Sequence, residues 1–350
     1  MSPDKPHVVI SMGDPGGIGP EVTVKALMEA QVWELCVPVV AGNVRVLEKI
    51  SGIIGSTLPV VQVEDVASCK ERGTAVYVVE CGLPESDIPF GKVSKEAGEA
   101  SLAYIHKAVD LVMEGKAEAL VTGPINKEAI HLAGCPFPGH TEIIAARTGT
   151  KTYAMMLVHG NLRVSHVSTH VSLRRACDLV TRERVLETIV LTDEALREMG
   201  ISEPLIGVAG LNPHAGEDGL FGDEEVKEIM PAIKVARSRG INVDGPLSSD
   251  TVFVKARGGQ YDGVVAMYHD QGHIPVKVSG FELDPVTGKW VSVKGVNMTL
   301  GLPIIRVSVD HGTAFGKAGR GTANAESMVE AITIAATIAR NRRLRRCGCR

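Results

Sequence analysis

Apolar residues recur along the chain in two alternating patterns. Short runs at Val8–Met12, Ala119–Thr122, 205–210, 263–268 and 304–309 are almost wholly apolar, as expected of strands covered on both faces of a parallel sheet. Longer stretches at 94–115, 181–199, 223–239 and 325–341 carry the spacing of amphipathic helices. The first of these also has its boundary signals: Ser94 to cap it, Glu96 and Glu99 in its first turns, and Gly115 to end it. Pro20 opens a further helix, at a position where its missing N–H costs nothing. Thr152–Thr169 holds two strand-like runs around His159-Gly160-Asn161, which predicts a hairpin. The polar segment Glu282–Lys294, with Asp284-Pro285 and Thr287-Gly288, reads as an excursion and a candidate second hairpin. Strands alternating with helices predict an α/β protein with a largely parallel sheet. No repeat or low-complexity linker offers a place to cut the chain in two. The expected organisation is therefore two interleaved α/β domains, roughly 1–130 plus 300–339 and 131–299, with a basic tail at 340–350.

Composition narrows the classes of function. At 44% hydrophobic and a net charge of -4, the 350 residues belong to a globular protein and not to a disordered one. No run of about 18 apolar residues suggests a membrane span. The opening MSPDKPHVVI lacks the basic flank and apolar core of a signal peptide, so a cytoplasmic protein is expected. Removing the six arginines of residues 340–350 takes the net charge of the rest from -4 to -10. An acidic body argues against a nucleic-acid surface, and the tail is either a basic arm or a solvated extension. The 7 cysteines are odd in number and scattered, apart from Cys347 and Cys349, which predicts reduced thiols with neither a disulfide framework nor a zinc ribbon.

Several groups are placed where chemistry is done. Gly13-Asp14-Pro15-Gly16-Gly17-Ile18-Gly19-Pro20-Glu21 follows a strand and precedes a helix. It is either an anion cradle or simply a turn, and it matches neither the dinucleotide nor the P-loop spacing. His170, His214 and His269 each follow a predicted strand, where ligands gather in parallel α/β sheets. Together they would make an open three-nitrogen metal site; singly, each would serve a local loop hydrogen bond. His166 is a rival ligand by strand alternation, and Asp270 is placed to orient an imidazole. His140 and Thr141 open a predicted helix at its positive end, a fair place for an anion. Arg306 interrupts an apolar strand and needs an anionic partner from the protein or a ligand. Lys277 reads equally as a site cation or a solvated one, and Asp250 as a helix cap or a site carboxylate. Lys127 begins a helix, where the dipole disfavours a cation.

Six segments occur in order along the chain: the glycine-rich turn, Thr122-Gly123-Pro124, Pro138-Gly139-His140-Thr141-Glu142, Asn212-Pro213-His214-Ala215-Gly216-Glu217, Tyr268-His269-Asp270-Gln271-Gly272 and Asp310-His311-Gly312-Thr313-Ala314. Together they resemble the 4-hydroxythreonine-4-phosphate dehydrogenase family of NAD-dependent enzymes, over about residues 7–338. Ser168-Thr169-His170, Gly219–Glu225 and Gly272-His273-Ile274-Pro275 are similar to its second branch, associated with D-threonate and D-erythronate 4-phosphate catabolism. The resemblance implies an isocitrate/isopropylmalate dehydrogenase-like fold and a homodimer. It places the active site in the cleft between the domains, completed by the partner subunit. His170, His214 and His269 match the family's divalent-metal ligands; His140, Thr141, Lys277, Asn297 and Arg306 match its substrate-binding positions. Gly312 and Thr313 lie where related dehydrogenases hold the adenine end of NAD. The chain departs from the pattern in the long Glu282–Lys294 segment before Asn297, in Gly316-Lys317, and in the Arg-rich tail.

What the resemblance implies is oxidation of the C3 hydroxyl of a 4-phosphorylated hydroxy acid by NAD, followed by decarboxylation to dihydroxyacetone phosphate. One divalent ion (zinc, magnesium, cobalt or manganese) would polarise that hydroxyl. With the histidines as ligands the base must lie elsewhere, and Lys127 and Asp250 are the candidates. The alternatives are the vitamin B6 substrate 4-hydroxythreonine 4-phosphate, a cis-dihydrodiol carboxylate, and a non-catalytic relative that binds a phosphate ester.

Overall fold

A computed structural model describes residues 5–69, 73–82, 88–288 and 290–346. Cys347, Cys349 and Arg350 of the expected tail lie outside the described residues. The chain forms two compact units, Met1–Lys151 with Leu302–Arg350, and Thr152–Gly301. The chain thus leaves the first unit once and returns to it.

The first unit is built on six parallel strands. In chain order it runs β1 (His7–Ser11), α1 (Gly19–Leu27), α2 (Ala30–Leu35), β2 (Val37–Gly42), α3 (Val44–Ile54), β3 (Val60–Gln62), β4 (Val76–Glu80), α4 (Lys95–Met113), β5 (Ala119–Thr122), α5 (Lys127–Leu132) and α6 (His140–Arg147). After the second unit come β14 (Ile305–Val309) and α12 (Glu326–Arg346). The strands stand in the order β3-β4-β2-β1-β5-β14. β2, β5 and β14 are buried at every residue, which explains why they are apolar without alternation. In α4 the Ser94 hydroxyl accepts from the Ala97 N–H, and Ala97, Ser101, Tyr104, Ile105, Ala108 and Val112 turn inward at helical spacing. Gly98 lets α4 and α5 meet backbone to backbone, since a Cβ there would lie 2.0 Å from the Ala129 carbonyl oxygen.

The second unit comprises β6 (Ala154–His159), β7 (Leu162–His166), α7 (Leu173–Asp178), α8 (Arg182–Glu198), β8 (Ile206–Ala209), α9 (Met230–Ser238), β9 (Val243–Leu247), α10 (Ser249–Arg257), β10 (Gly263–Ala266), α11 (His269–Gly280), β11 (Phe281–Leu283), β12 (Trp290–Val293) and β13 (Val296–Leu300). Its strands run β13-β6-β7-β10-β8-β9; the first two pairings are antiparallel and the rest parallel. Both expected hairpins form, β6–β7 and β11–β12. Strand alternation splits the core. Val265, with Val208, Ile189 and Ile233, packs on one face, while Val264, with Val164, Val252 and Phe253, packs on the other.

Three details differ from the sequence reading. The first crossing between units falls at 151/152, not 130/131, because α5 and α6 pack on α4 and Arg147 pairs with Asp110 at 2.7 Å. The helix expected at 223–239 begins with a π-type turn over Glu225–Ile229. Residues 340–346 of the basic end are not a separate solvated extension. They continue α12, and Arg343 is ion-paired with Glu118, whose other oxygen accepts the His7 N–H at 2.6 Å.

Candidate active site

In the first unit, parallel register brings the ends of β1, β5 and β14 together, and three loops interlock there. The Asp14 N–H donates to Pro124, the Gly123 N–H to Ser11, and the Ile18 N–H to Thr313. These contacts decide between the two readings of the glycine-rich turn. A Cβ at Gly13 would lie 2.5 Å from the Pro124 carbonyl oxygen, one at Gly19 2.3 Å from that of Met12, and one at Gly17 2.9 Å from Thr313 Cβ. The glycines serve the protein's own close packing. Thr313, expected at the cofactor, is buried with its Cβ against Gly17, while neighbouring Gly312 faces open space.

Asp14 in this turn is fully buried; one carboxyl oxygen accepts the Gly16 N–H at 2.8 Å and the other has no partner among the described residues. Burial raises its pKa to about 6 from 3.8. The folded state therefore holds a proton that the unfolded chain has released, and stability falls as pH rises from about 4 through about 6. Asp14→Asn keeps an acceptor for Gly16 and removes this dependence. Denaturant titrations should match the parent below pH 4 and show the variant more stable by up to about 3 kcal/mol above pH 6. Equal stability at pH 7 would contradict the burial argument.

Beside these loops lies a buried cation. Arg306 on β14 is only 3% exposed; its Nη2 donates to Thr122 Oγ1 at 2.8 Å, and Glu142 supplies the opposite charge. Burial still pulls its pKa down to about 10, so the protein only partly compensates the charge. His140, the first residue of α6, is held well below its usual pKa by burial and then by Arg306, while a hydrogen bond to the Gly123 backbone opposes the shift. Its Nε2 is buried with no hydrogen-bond partner among the described residues. Among the described residues no side chain caps α6, and Thr141 lies in its first turn. Lys127 is exposed at the start of α5, whose cap is Asn126. This cluster brings together a buried guanidinium, an imidazole and a helix N-terminus, groups that suit an anion.

In the second unit the parallel trio β7-β10-β8 aligns its carboxyl ends, from which the loops of His170, His269 and His214 depart. The His170 and His269 rings lie 5.7 Å apart between centroids. They border a cavity of about 460 Å³ with Ser172, Leu173, Tyr268 and Asp270. Asp270 Oδ1 lies 2.6 Å from His269 Nδ1, which leaves Nε2 as the outward nitrogen, as an oriented ligand requires. His214 does not join them. It is exposed, 3.1 Å from Glu217, on a turn whose residues 214–218 all have φ between +45° and +82°. Among the described residues no three His, Cys, Asp or Glu side chains are gathered as a metal would need. The pair fits two ligands of a divalent ion; the third position is not made. Asp250 lies exposed in the first turn of α10 and accepts from Ser248. Lys277, on α11, lies 4.8 Å from the Phe281 ring, and Asn297 is on β13 with a buried Oδ1 that has no partner among the described residues.

The rest of the chain fixes what this geometry is similar to. The family model described as pyridoxal phosphate biosynthetic protein PdxA matches residues 34–335. The chain belongs to that family. Among PdxA relatives, it is 46% identical to the D-threonate 4-phosphate dehydrogenase of Cupriavidus necator, over 98% of this chain and all of that one. Among solved structures, the 4-hydroxythreonine-4-phosphate dehydrogenase of Klebsiella pneumoniae superposes with a TM-score of 0.85 at 41% identity, covering 97% of this chain and 99% of that one. The enzyme of the same description from Burkholderia phymatum gives 0.83 at 44%, covering 96% and 99%. The α/β fold is thus the dehydrogenase fold expected for the PdxA family.

Two features of this PdxA-family site were not anticipated. His166 does not share a face with His170, because β7 ends at His166. Its ring is buried, 3.3 Å from the Met155 carbonyl and 3.1 Å from His273, which in turn stacks on His269 at 3.6 Å. Gly272 makes room for this pair, as a Cβ there would meet His166 Nε2 at 2.3 Å. The second feature is Glu225, whose carboxylate holds the start of the His214 loop.

Proposed function

We propose that the protein is an NAD-dependent dehydrogenase that oxidises the C3 hydroxyl of D-threonate 4-phosphate or D-erythronate 4-phosphate and releases CO2 to leave dihydroxyacetone phosphate. One observation carries the substrate class: a buried guanidinium beside a neutral imidazole and an uncapped helix, in a chain 46% identical throughout to a D-threonate 4-phosphate dehydrogenase. An arriving phosphate or carboxylate adds to the negative charge that Glu142 already sets against Arg306 and favours protonation of His140, turning its Nε2 from acceptor to donor. Thr141, Lys277 and Asn297 complete the substrate contacts in this reading. Gly312 and Thr313 lie at the adenine end of the dinucleotide, and the active form is a cytoplasmic homodimer.

The chemistry balances without an external oxidant beyond the dinucleotide. A bound nicotinamide would supply the acceptor for the C3 hydrogen and its electron pair, while the hydroxyl proton passes to a base. The C1–C2 bond of the resulting β-keto acid then breaks, CO2 departs, and the enolate left by that electron pair takes a proton at C2. Lys127 and Asp250 remain the proposed bases. Asp250 adjoins Ser249, which Gln271 ties to Gly210 at the carboxyl edge of β8. The metal assignment rests on His170 and His269, whose arrangement suits two ligands, with His214 as the third.

The second reading, 4-hydroxythreonine 4-phosphate as substrate, is favoured by the descriptions of the superposable structures. The test of the main reading is product balance: D-threonate 4-phosphate with NAD+ should give NADH, CO2 and dihydroxyacetone phosphate in equal amounts. NADH without CO2 would contradict it.

A further inference from the structure

His214, which is not gathered with His170 and His269, sits on a loop with a rigid root and a strained tip. We infer that Glu225 is the positioning residue for His214: its buried carboxylate fixes the root of the loop, so that the imidazole is delivered to a divalent ion already held by His170 and His269. The inference rests on the reading of these histidines as metal ligands.

Glu225 is 2% exposed. Its Oε1 accepts the N–H groups of both Leu211 and Asn212 at 2.7 Å, and its Oε2 accepts Asn212 Nδ2 at 2.9 Å. Hydrogen bonds to an ionised carboxylate are about twice as strong as neutral ones. The loop is wrapped closely around the group: a Cβ at Gly210 would lie 3.0 Å from Oε1 and one at Gly216 2.8 Å from Oε2. On the opposite side the Gly210 carbonyl accepts from Gln271 Nε2 at 2.7 Å and from Ser249 Oγ at 3.0 Å. Residues 210–212 are thereby gripped from α10, α11 and the π-type turn at once.

Beyond Pro213 the grip ends. His214, Ala215, Glu217 and Asp218 occupy left-handed backbone, which disfavours L-residues by roughly 1–2 kcal/mol each. Among the described residues, the His214 imidazole engages Glu217 and the edge of the Phe221 ring. In this inference the exposed tip takes two positions on its fixed root. The Glu217 carboxylate holds the ring in one, and an ion at His170 and His269 competes for it in the other. Loosening the root leaves the imidazole's own chemistry intact but widens the arc it samples, which lowers the population able to ligate.

The experiment titrates the metal-free, full-length protein with Co2+, followed by calorimetry and by the visible absorption of the bound ion. His214→Ala should weaken binding and change the spectrum as one nitrogen ligand is lost. Glu225→Gln, which keeps the shape and one acceptor oxygen, should weaken Co2+ binding about 10- to 100-fold, as for other groups that orient ligands. In the His214→Ala background the same change should have no further effect, because contributions exerted through one residue do not add. Asn212→Ala, a milder loosening on the partly exposed side, should behave likewise with a smaller loss. Unchanged Co2+ affinity in both Glu225→Gln and Asn212→Ala overturns the inference and leaves the metal reading standing. Losses that persist undiminished in the His214→Ala background also overturn it, since Glu225 would then act on the fold at large. If His214→Ala itself binds Co2+ like the parent, the metal reading fails and the inference with it.

Discussion

Arg306→Ala should lower kcat/KM for the phosphorylated substrate by at least about 100-fold. The side chain is 3% exposed, its Nη2 is tied to Thr122, and the carboxylate of Glu142 is the charge set against it. In the proposed reading, removing it deletes a charge-assisted contact to the substrate anion, and it takes away the charge set against Glu142. Breaking one side of such a desolvated pair costs about 2–5 kcal/mol. The lowered pKa of His140 amplifies the effect, since its imidazole is a poor substitute for the charge that Arg306 takes away. Arg306→Lys restores charge but not the planar fork, so it should recover only part of the loss. Steady-state kinetics on folded variants, with thermal melts alongside, check this. An alanine variant within a few-fold of the parent would remove Arg306 from the substrate site.

The second large effect belongs to His170 and His269. Alanine at either should lower turnover about 100- to 1,000-fold, the usual cost of losing a group that stabilises developing negative charge, and should lower bound metal in parallel. Asp270→Asn should cost less, about 10- to 100-fold, because Asp270 acts only by orienting His269 through the 2.6 Å contact to Nδ1. The order of the three variants is the informative part. If Asp270→Asn were as damaging as His269→Ala, the carboxylate would be touching the reacting groups itself. Metal content measured on the purified variants, beside kcat, separates these cases.

Much of the frame was legible because parallel strands buried on both faces leave an unmistakable apolar run. Ala119–Thr122 was placed to the residue for that reason. The start of α4 was equally clear, since Ser94 caps it through a local hydrogen bond whose partners sit side by side in sequence. The candidate histidines were legible for a topological reason: each follows a strand, and parallel register then brings two of the three loops close.

What escaped depends on partners far apart in the chain. Glu225 reads as one acid in the run Asp223-Glu224-Glu225, and nothing local marks it as the one that turns inward to grip Leu211 and Asn212. The stack of His166, His273 and His269 joins residues about a hundred positions apart. The end of α12 was set too early because its last turns are polar on all sides, so no apolar stripe signals that Arg343 still has Glu118 to reach. His214 shows the converse. Its position after β8 suggested a ligand, while the left-handed turn that carries it has no sequence signal except Gly216 and Gly219.

The most direct measurement is the initial rate of NADH formation at 340 nm, with NAD+ and a divalent metal, on D-threonate 4-phosphate, D-erythronate 4-phosphate and 4-hydroxythreonine 4-phosphate in parallel. A His214→Ala control and a cis-dihydrodiol carboxylate accompany them. The account predicts the highest kcat/KM on one of the two sugar-acid phosphates, no rate on the diol, and a collapse in the control. Preference for the amino substrate would place the protein in vitamin B6 synthesis. NADH from none of the phosphorylated substrates, with folded protein and metal present, would contradict the account outright.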